Sequence, residues 1–199
     1  MIAAAFAKAN VPSPRTLLIQ SRRELQGILD EESGTEWCLK FPTSCGGAGH
    51  LLLSKEASIP KEWPTPFVFQ EFIRLSDPAV YRIYAADKNL FGWVRRGFPS
   101  ATKSSPWVAH ARGAIYEFPG DPPQEALDVA KAAFRATCLF ESFGCVDLIQ
   151  NQKGEWLALE VGTDGLFNHV DRDFPEITFL SEMKKRIAAS FEKYTSSGR

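Results

Sequence analysis

Apolar residues in this chain recur with two periods, and the switches between them mark its elements. Residues 2–9 read as a helix. It ends at Val11-Pro12-Ser13-Pro14, because each Pro disfavours helix at the residue before it. Thr16-Leu17-Leu18-Ile19 reads as a short strand. Ser21 and Glu24 then form a capping box, with Leu25, Ile28 and Leu29 along one helical face. Trp37 to Phe41 is a strand that runs into a glycine-rich loop, Thr43-Ser44-Cys45-Gly46-Gly47-Ala48-Gly49, and His50 to Leu53 returns as a strand. Residues 54–66 carry three prolines and read as loop, and Phe67 to Ile73 is an aromatic strand. Val80–Ala86 and Leu90–Arg96 form a hairpin turning at Lys88-Asn89. Residues 97–110 are a surface loop, and Ala111–Glu117 a further strand. Asp121 caps a helix that has Pro122 at its first position and Leu127, Ala130, Phe134 and Cys138 as its inner stripe. A last hairpin, Gly144–Ile149 and Glu155–Val161, turns at Lys153-Gly154. The final helix points Ile177, Leu180, Ile187 and Phe191 inward. Hairpin-paired strands with helices on one side predict an α+β fold. A hinge near residues 71–77 predicts two lobes, 1–70 and 71–199, with a cleft between them.

Composition narrows the function. The chain has 199 residues, 44% of them hydrophobic and 24% charged, and carries a net charge of −1. No global field recruits nucleic acid or an anionic membrane, and no apolar run approaches the ~20 residues of a membrane span. The N-terminus is too short and too weakly apolar for a secretory signal. Cys38, Cys45, Cys138 and Cys145 lack metal-ligand spacing, and His50, His110 and His169 are dispersed. Reduced thiols and a cytoplasmic location are expected. A homodimer is left open.

Three constellations carry chemistry. With Lys153-Gly154 as a two-residue turn, Asp147 pairs directly with Glu160, and like charges so placed destabilise a sheet. A divalent cation would resolve the conflict, and oxygen-only ligands suit magnesium carrying substrate phosphates. A solvated pair in another register is the alternative. Second, the glycine loop joins two strands, which argues against a Walker loop and a dinucleotide fingerprint. It could still fold over phosphates, with Lys40 as a point charge, or be a plain surface hairpin. Third, a turn at Lys88-Asn89 opposes Arg82 and Arg95, which would hold an anion between them or splay to solvent. A one-residue register change would substitute Arg96. Together these groups suit phosphoryl transfer to a carboxylate.

The order of these segments resembles the ATP-grasp family, and within it carboxylate–amine ligases similar to ribosomal protein S6 glutamate ligase and glutathione synthetase. The resemblance runs from roughly residue 5 to residue 165. Asn10 to Thr16 is similar to the family's "GIPxPxT" segment. Leu39-Lys40-Phe41-Pro42 and Gly46-Gly47-Ala48-Gly49-His50 resemble its phosphate-binding lysine and glycine loop. Phe69 to Ile73 resembles its adenine-binding "QEFI" hinge. Tyr81-Arg82-Ile83 and Arg95-Arg96 match its substrate- and phosphate-facing arginines. Gly144 to Leu148 and Leu159-Glu160-Val161 resemble its magnesium-binding segments.

The resemblance implies ATP held by Lys40, Gly46, Gly47 and Gly49, with adenine at Gln70, Glu71, Phe72 and Ile73. It implies Mg²⁺ on Asp147 and Glu160, and Arg82 and Arg95 on an acyl phosphate. The activity it implies is joining a small-molecule or peptide carboxylate to an amine or thiol. The chain departs from the family in three ways. Gly162 stands where the family has a metal-binding Asn, with Asp164 or Asn168 as possible substitutes. Val80 replaces an acidic residue, for which Asp77 is the alternative partner to the ribose. The sequence begins where the resemblance places the family's first ATP-binding lysine, so either a fragment or a reduced form without the preceding domain is expected. These departures keep open a nucleotide-binding regulatory or interaction module without ligase activity.

Overall fold

The computed structural model describes residues 2–41, 48–53, 59–75, 77–99, 105–163, 167–174 and 178–196. The fold is α+β, with two antiparallel sheets. The chain divides into a smaller unit, Pro14–Arg74, and a larger one, Met1–Ser13 with Leu75–Arg199.

In the smaller unit β1 (Thr16–Ile19), β2 (Trp37–Lys40), β3 (His50–Leu53) and β4 (Phe67–Glu71) form a sheet in the order β1-β4-β2-β3. Strict alternation sorts its two faces. Leu17, Ile19, Trp37, Leu39, Leu51, Leu53, Phe67 and Phe69 join Leu25, Ile28 and Leu29 of α2 (Arg22–Glu31) in one apolar cluster. Trp37 stacks on Phe69 with ring centroids 4.3 Å apart. The residues between these, including Thr16, Cys38, Lys40, Val68 and Gln70, lie on the other face. Ser21 caps α2 as its sequence predicts, accepting the Glu24 N–H at 3.1 Å, while the Glu24 carboxylate reaches the N–H of Gln20 at 2.9 Å.

In the larger unit β5 (Ala79–Ala86), β6 (Asn89–Gly97), β7 (Ile115–Glu117), β8 (Phe143–Gln150) and β9 (Trp156–Gly162) pair in the order β7-β6-β5-β8-β9. One face is largely apolar, with Arg95 and Glu117 toward its β7 edge. Ile83, Ala85, Trp93, Val146, Leu148, Ala158 and Val161 pack with Phe6 of α1 (Ile2–Lys8) and with Ala126, Ala130, Ala133 and Phe134 of α3 (Gln124–Ala136). The opposite face is divided. Tyr84, Ala86, Val94 and Cys145 pack with Val170 of α4 (Phe167–Asp173) and with Phe179 and Met183 of α5 (Phe179–Ser196). The remainder of that face carries Arg82, Arg96 and Asp147.

Several expectations are corrected. Residues 1–13 belong with the larger unit, not with a lobe 1–70, because Phe6 and Val11 complete its core and the Ala158 N–H donates to Pro12 C=O at 2.8 Å. The break falls after Arg74 rather than after residue 70. α3 begins at Gln124 with Pro123 at its N-cap, and Cys138 lies beyond its end, exposed. In α5 Phe179, Met183 and Ile187 face the core. Leu180 and Phe191 are exposed, and Ile177 is outside the described residues.

Candidate functional site

The carboxylate hairpin brings Asp147 opposite Glu160, but by a different route from the one the turn residues imply. The Asn151 N–H donates to Glu155 C=O and the Gly154 N–H to Asn151 C=O, both at 3.0 Å, so the loop holds three residues rather than two. Gly154 sits at φ 82°, the left-handed conformation that such a loop requires. That extra residue pairs Leu148 with Ala158. A bulge at Leu159 then inserts one more on β9, and Asp147 meets Glu160 again. Two offsets of one residue cancel.

The arginine hairpin does not compensate in this way. Its turn is Asp87-Lys88, with φ of 46° and 66°, and Ala86 pairs with Asn89. Gly92, at φ 68°, bulges β6 between Phe91 and Trp93. The net result places Val94 opposite Arg82, and a one-residue slip turns every side chain to the other face. Arg95 therefore does not oppose Arg82. It pairs across the sheet with Tyr81, and its guanidinium donates to Asp77 and Glu117. Asp77, the alternative partner for a ribose, is thereby an arginine partner. Arg96 takes the place beside Arg82.

The outcome is a compact ionic cluster. Arg82 donates from Nε to Asp147 Oδ1 at 2.6 Å and from Nη2 to Oδ2 at 2.9 Å, while Arg96 Nη2 donates to Oδ2 at 3.0 Å. Asp147 and Arg82 are both buried. Burial by itself would raise the Asp147 pKa. The charges of Arg82 and then Arg96, with their hydrogen bonds, outweigh it and hold the carboxyl well below the ordinary carboxylate range. Burial likewise opposes the charge on Arg82, and the Asp147 carboxylate overcomes it. Arg96 also donates to the Tyr116 hydroxyl at 3.0 Å, and its guanidinium lies 5.6 Å from that ring's centroid. The repulsion expected between Asp147 and Glu160 is thus relieved by two guanidinium groups. Glu160 is exposed at the edge of this cluster. Among the described residues no three His, Cys, Asp or Glu converge on a common point. Asp164 and the side chain of Asn168 are outside the described residues.

In the smaller unit Lys40 ends β2, half-buried and cross-strand from His50 and Val68. Gly46 and Gly47 lie outside the described residues. Gly49, at φ 68°, accepts the Phe41 N–H at 2.8 Å, which carries the hairpin to the loop's edge. Gln70 is buried on the same sheet face as Lys40 and donates to the Thr16 hydroxyl at 2.8 Å. Two hinge amides are already used, the Glu71 N–H by Arg15 C=O at 2.9 Å and the Phe72 N–H by Glu36 C=O at 2.7 Å. Neither can donate to an adenine ring, and Ile73 follows them beyond the strand. Sequence reasoning had Arg96 only as a substitute for Arg95. The signal for it was Gly92, whose place in a strand marks a bulge.

This pair of antiparallel sheets, with its helices, is the fold of the ATP-grasp ligases. No family model matches the chain, and no curated protein matches it. Among solved structures it is similar to the ATP-grasp ligase PsnB complexed with minimal precursor, Mg and ADP. The TM-score is 0.68 and the identity 18%, over 94% of this chain and 56% of that one. It is similar to the macrocyclase MdnC of Microcystis aeruginosa MRC, bound with precursor peptide MdnA. Here the TM-score is 0.62 and the identity 16%, over 95% of this chain and 60% of that one. The D-alanine–D-alanine ligase of Bacillus anthracis matches at TM-score 0.65 and 12% identity, over 100% of this chain and 68% of that one. The chain spans a little under three-fifths of PsnB's length and three-fifths of MdnC's. No helix among the described residues is long and apolar enough to cross a membrane.

Proposed function

We propose that the chain binds ATP and joins a carboxylate to an amine or thiol through an acyl phosphate. The observation that carries this reading is the buried Arg82–Asp147–Arg96 cluster with the exposed Glu160 opposite, on one face of the larger unit's sheet. Two forked cations beside two acids suit the terminal phosphates of a nucleotide. Lys40 and Gly49, with Gly46 and Gly47, belong to the same reading as contacts to the phosphate chain. Ile73 takes over the hydrogen bond to adenine that Glu71 and Phe72 cannot make.

Asp147 and Glu160 fit Mg²⁺ in donor type, since this ion takes one or two carboxylates and completes its shell with phosphate oxygens and water. Bound there, the ion would supply charge neutralisation on the phosphates. Both Asp147 oxygens now accept from guanidinium groups. Arg82 and Arg96 must therefore turn to the nucleotide before Asp147 can serve a cation. They would then offset charge on the transferring phosphoryl group. A substrate carboxylate oxygen attacks the terminal phosphorus as ADP leaves. The amine nitrogen or thiol sulfur next attacks the acyl carbon, and phosphate and a proton are released. PsnB and MdnC, complexed with precursor peptides, favour a peptide as one substrate.

Calorimetry of ATP with and without Mg²⁺ tests this reading. Glu160→Gln, at an exposed position, should reduce the Mg²⁺-dependent gain in affinity about tenfold or more. An unchanged gain, or wild-type protein that takes up no ATP, would overturn it. Gly162, in place of an amide ligand, favours a second reading, a nucleotide-binding module that does not ligate. ATP binding with no phosphate release on adding carboxylate and amine would decide for that second reading.

A further inference from the structure

Beyond Arg96 on the same sheet face lies a second cluster that the reaction above does not use. Tyr116 on β7 pairs with Arg96 on β6, so both side chains share that face. The rings of Tyr116 and His110 are nearly parallel, with centroids 6.4 Å apart, and His169 of α4 stacks on His110 at 4.1 Å. The Arg172 guanidinium meets His110 Nε2, a contact in which that nitrogen must be the unprotonated acceptor. Arg74, Arg82 and Arg95 each donate to a carboxylate at short range. Arg172 reaches its neighbour Asp173 only at 3.4 Å. Those bonds run from Nε and Nη2 to Oδ1, while Asp173 Oδ2 accepts the Tyr116 N–H at 2.9 Å and lies 3.8 Å from His110 Nε2. Arg172 is also the open side of the cluster, with its side chain 59% exposed.

We propose that Arg172, His110 and His169 form a subsite for a carboxylate of the acceptor, adjoining the phosphate-facing arginines. This rests on the ligase reading and deepens it. A guanidinium fork matches a planar carboxylate bidentately, and an imidazolium supplies a further charged donor. The position is apt, because the acceptor must lie next to the terminal phosphate that Arg82 and Arg96 face. Burial, then His169 and Arg172, hold His110 below the ordinary histidine pKa, and Asp173 opposes them. The groups facing His110 are His169, Arg172 and Asp173 from α4, Tyr116 from β7 and Arg96 from β6. Arg112 lies on His110's own turn. A carboxylate bound to Arg172 sets a second negative charge beside that of Asp173, and Arg172 turns from His110 Nε2 to the ligand, so that nitrogen takes up a proton as the ligand binds.

The test follows histidine ¹⁵N resonances of the full chain through pH, in sodium acetate and in sodium chloride at equal ionic strength. In acetate the His110 midpoint should rise by about one pH unit, equivalent to roughly tenfold tighter acetate binding to the protonated form. Arg172→Gln, on an exposed side chain, should abolish the rise. No rise, or an equal rise in the variant, overturns the subsite. An equal rise in sulfate reveals an adventitious anion only and overturns it as well. Calorimetry with ATP on the same sample separates the two claims. Nucleotide uptake without an acetate effect sinks the subsite alone, and no nucleotide uptake sinks the ligase reading.

Discussion

The Asp147 carboxylate concentrates the physics of this chain in one side chain. Two guanidinium groups hold it ionised although it is buried. A depressed carboxylate pKa contributes stability that is fully present above the unfolded value, about 3.9. That contribution is lost as pH falls through the folded value, here below the ordinary carboxylate range. The urea midpoint should therefore keep the Asp147 contribution between pH 7 and about 4, and lose it only in stronger acid. Asp147→Asn should cost ~3–5 kcal/mol at neutral pH, because it strands two cations. If the difference in midpoint between wild type and variant vanished already near pH 5, the ion pairs would not be what holds the group. The acid itself was legible from sequence, in an apolar strand opposite a second acid. Its partners were not, because their identity turned on a single residue of register.

At the scale of elements, both hairpins depend on glycines that play different parts. Gly154 occupies its loop at φ 82°, and a Cβ there would meet Gln150 Nε2 at 4.0 Å, an ordinary contact. Gly92 occupies its bulge at φ 68°, and a Cβ there would lie 2.6 Å from the Phe179 ring and 2.8 Å from Tyr84. Gly154→Ala should cost about 1 kcal/mol, the penalty for left-handed backbone alone. Gly92→Ala should add ~1–3 kcal/mol of overpacking. Chemical denaturation of the two variants checks the order, and equal losses would mean that Gly92 is not a packed bulge. The strands are plain in the alternation of apolar residues and in turn residues such as Lys153-Gly154. The bulges at Leu159 and Gly92 answer to packing on both faces of the sheet, which no short window of sequence records. One cancelled an error in the turn and the other did not.

At the scale of the whole molecule, the described residues form three apolar clusters, one in the smaller unit and one on each face of the larger unit's sheet, and residues 1–13 belong with the larger unit. Phe6 is buried among Ala126, Ala130 and Phe134 of the larger unit. Phe6→Ala should cost ~3–5 kcal/mol. Hydrogen exchange should show the loss in β5, β8 and β9, with protection in β2 and β4 unchanged. Loss of protection in both units together would mean that they unfold as one.

By itself the sequence determined the α+β class, the strands, the helices other than α4 (Phe167–Asp173, where it reads as polar loop), the capped start of α2 and the two acids on facing strands. Each of these is written locally, in periodicity, turn residues and charge. Tertiary structure alone decided that Arg96 and not Arg95 meets Asp147, that Arg95 answers Asp77 and Glu117, and that α1 completes the later unit. Register and long-range packing are collective. They follow from the sum of contacts on two sheet faces, and one bulged residue is enough to turn an arginine from one face to the other.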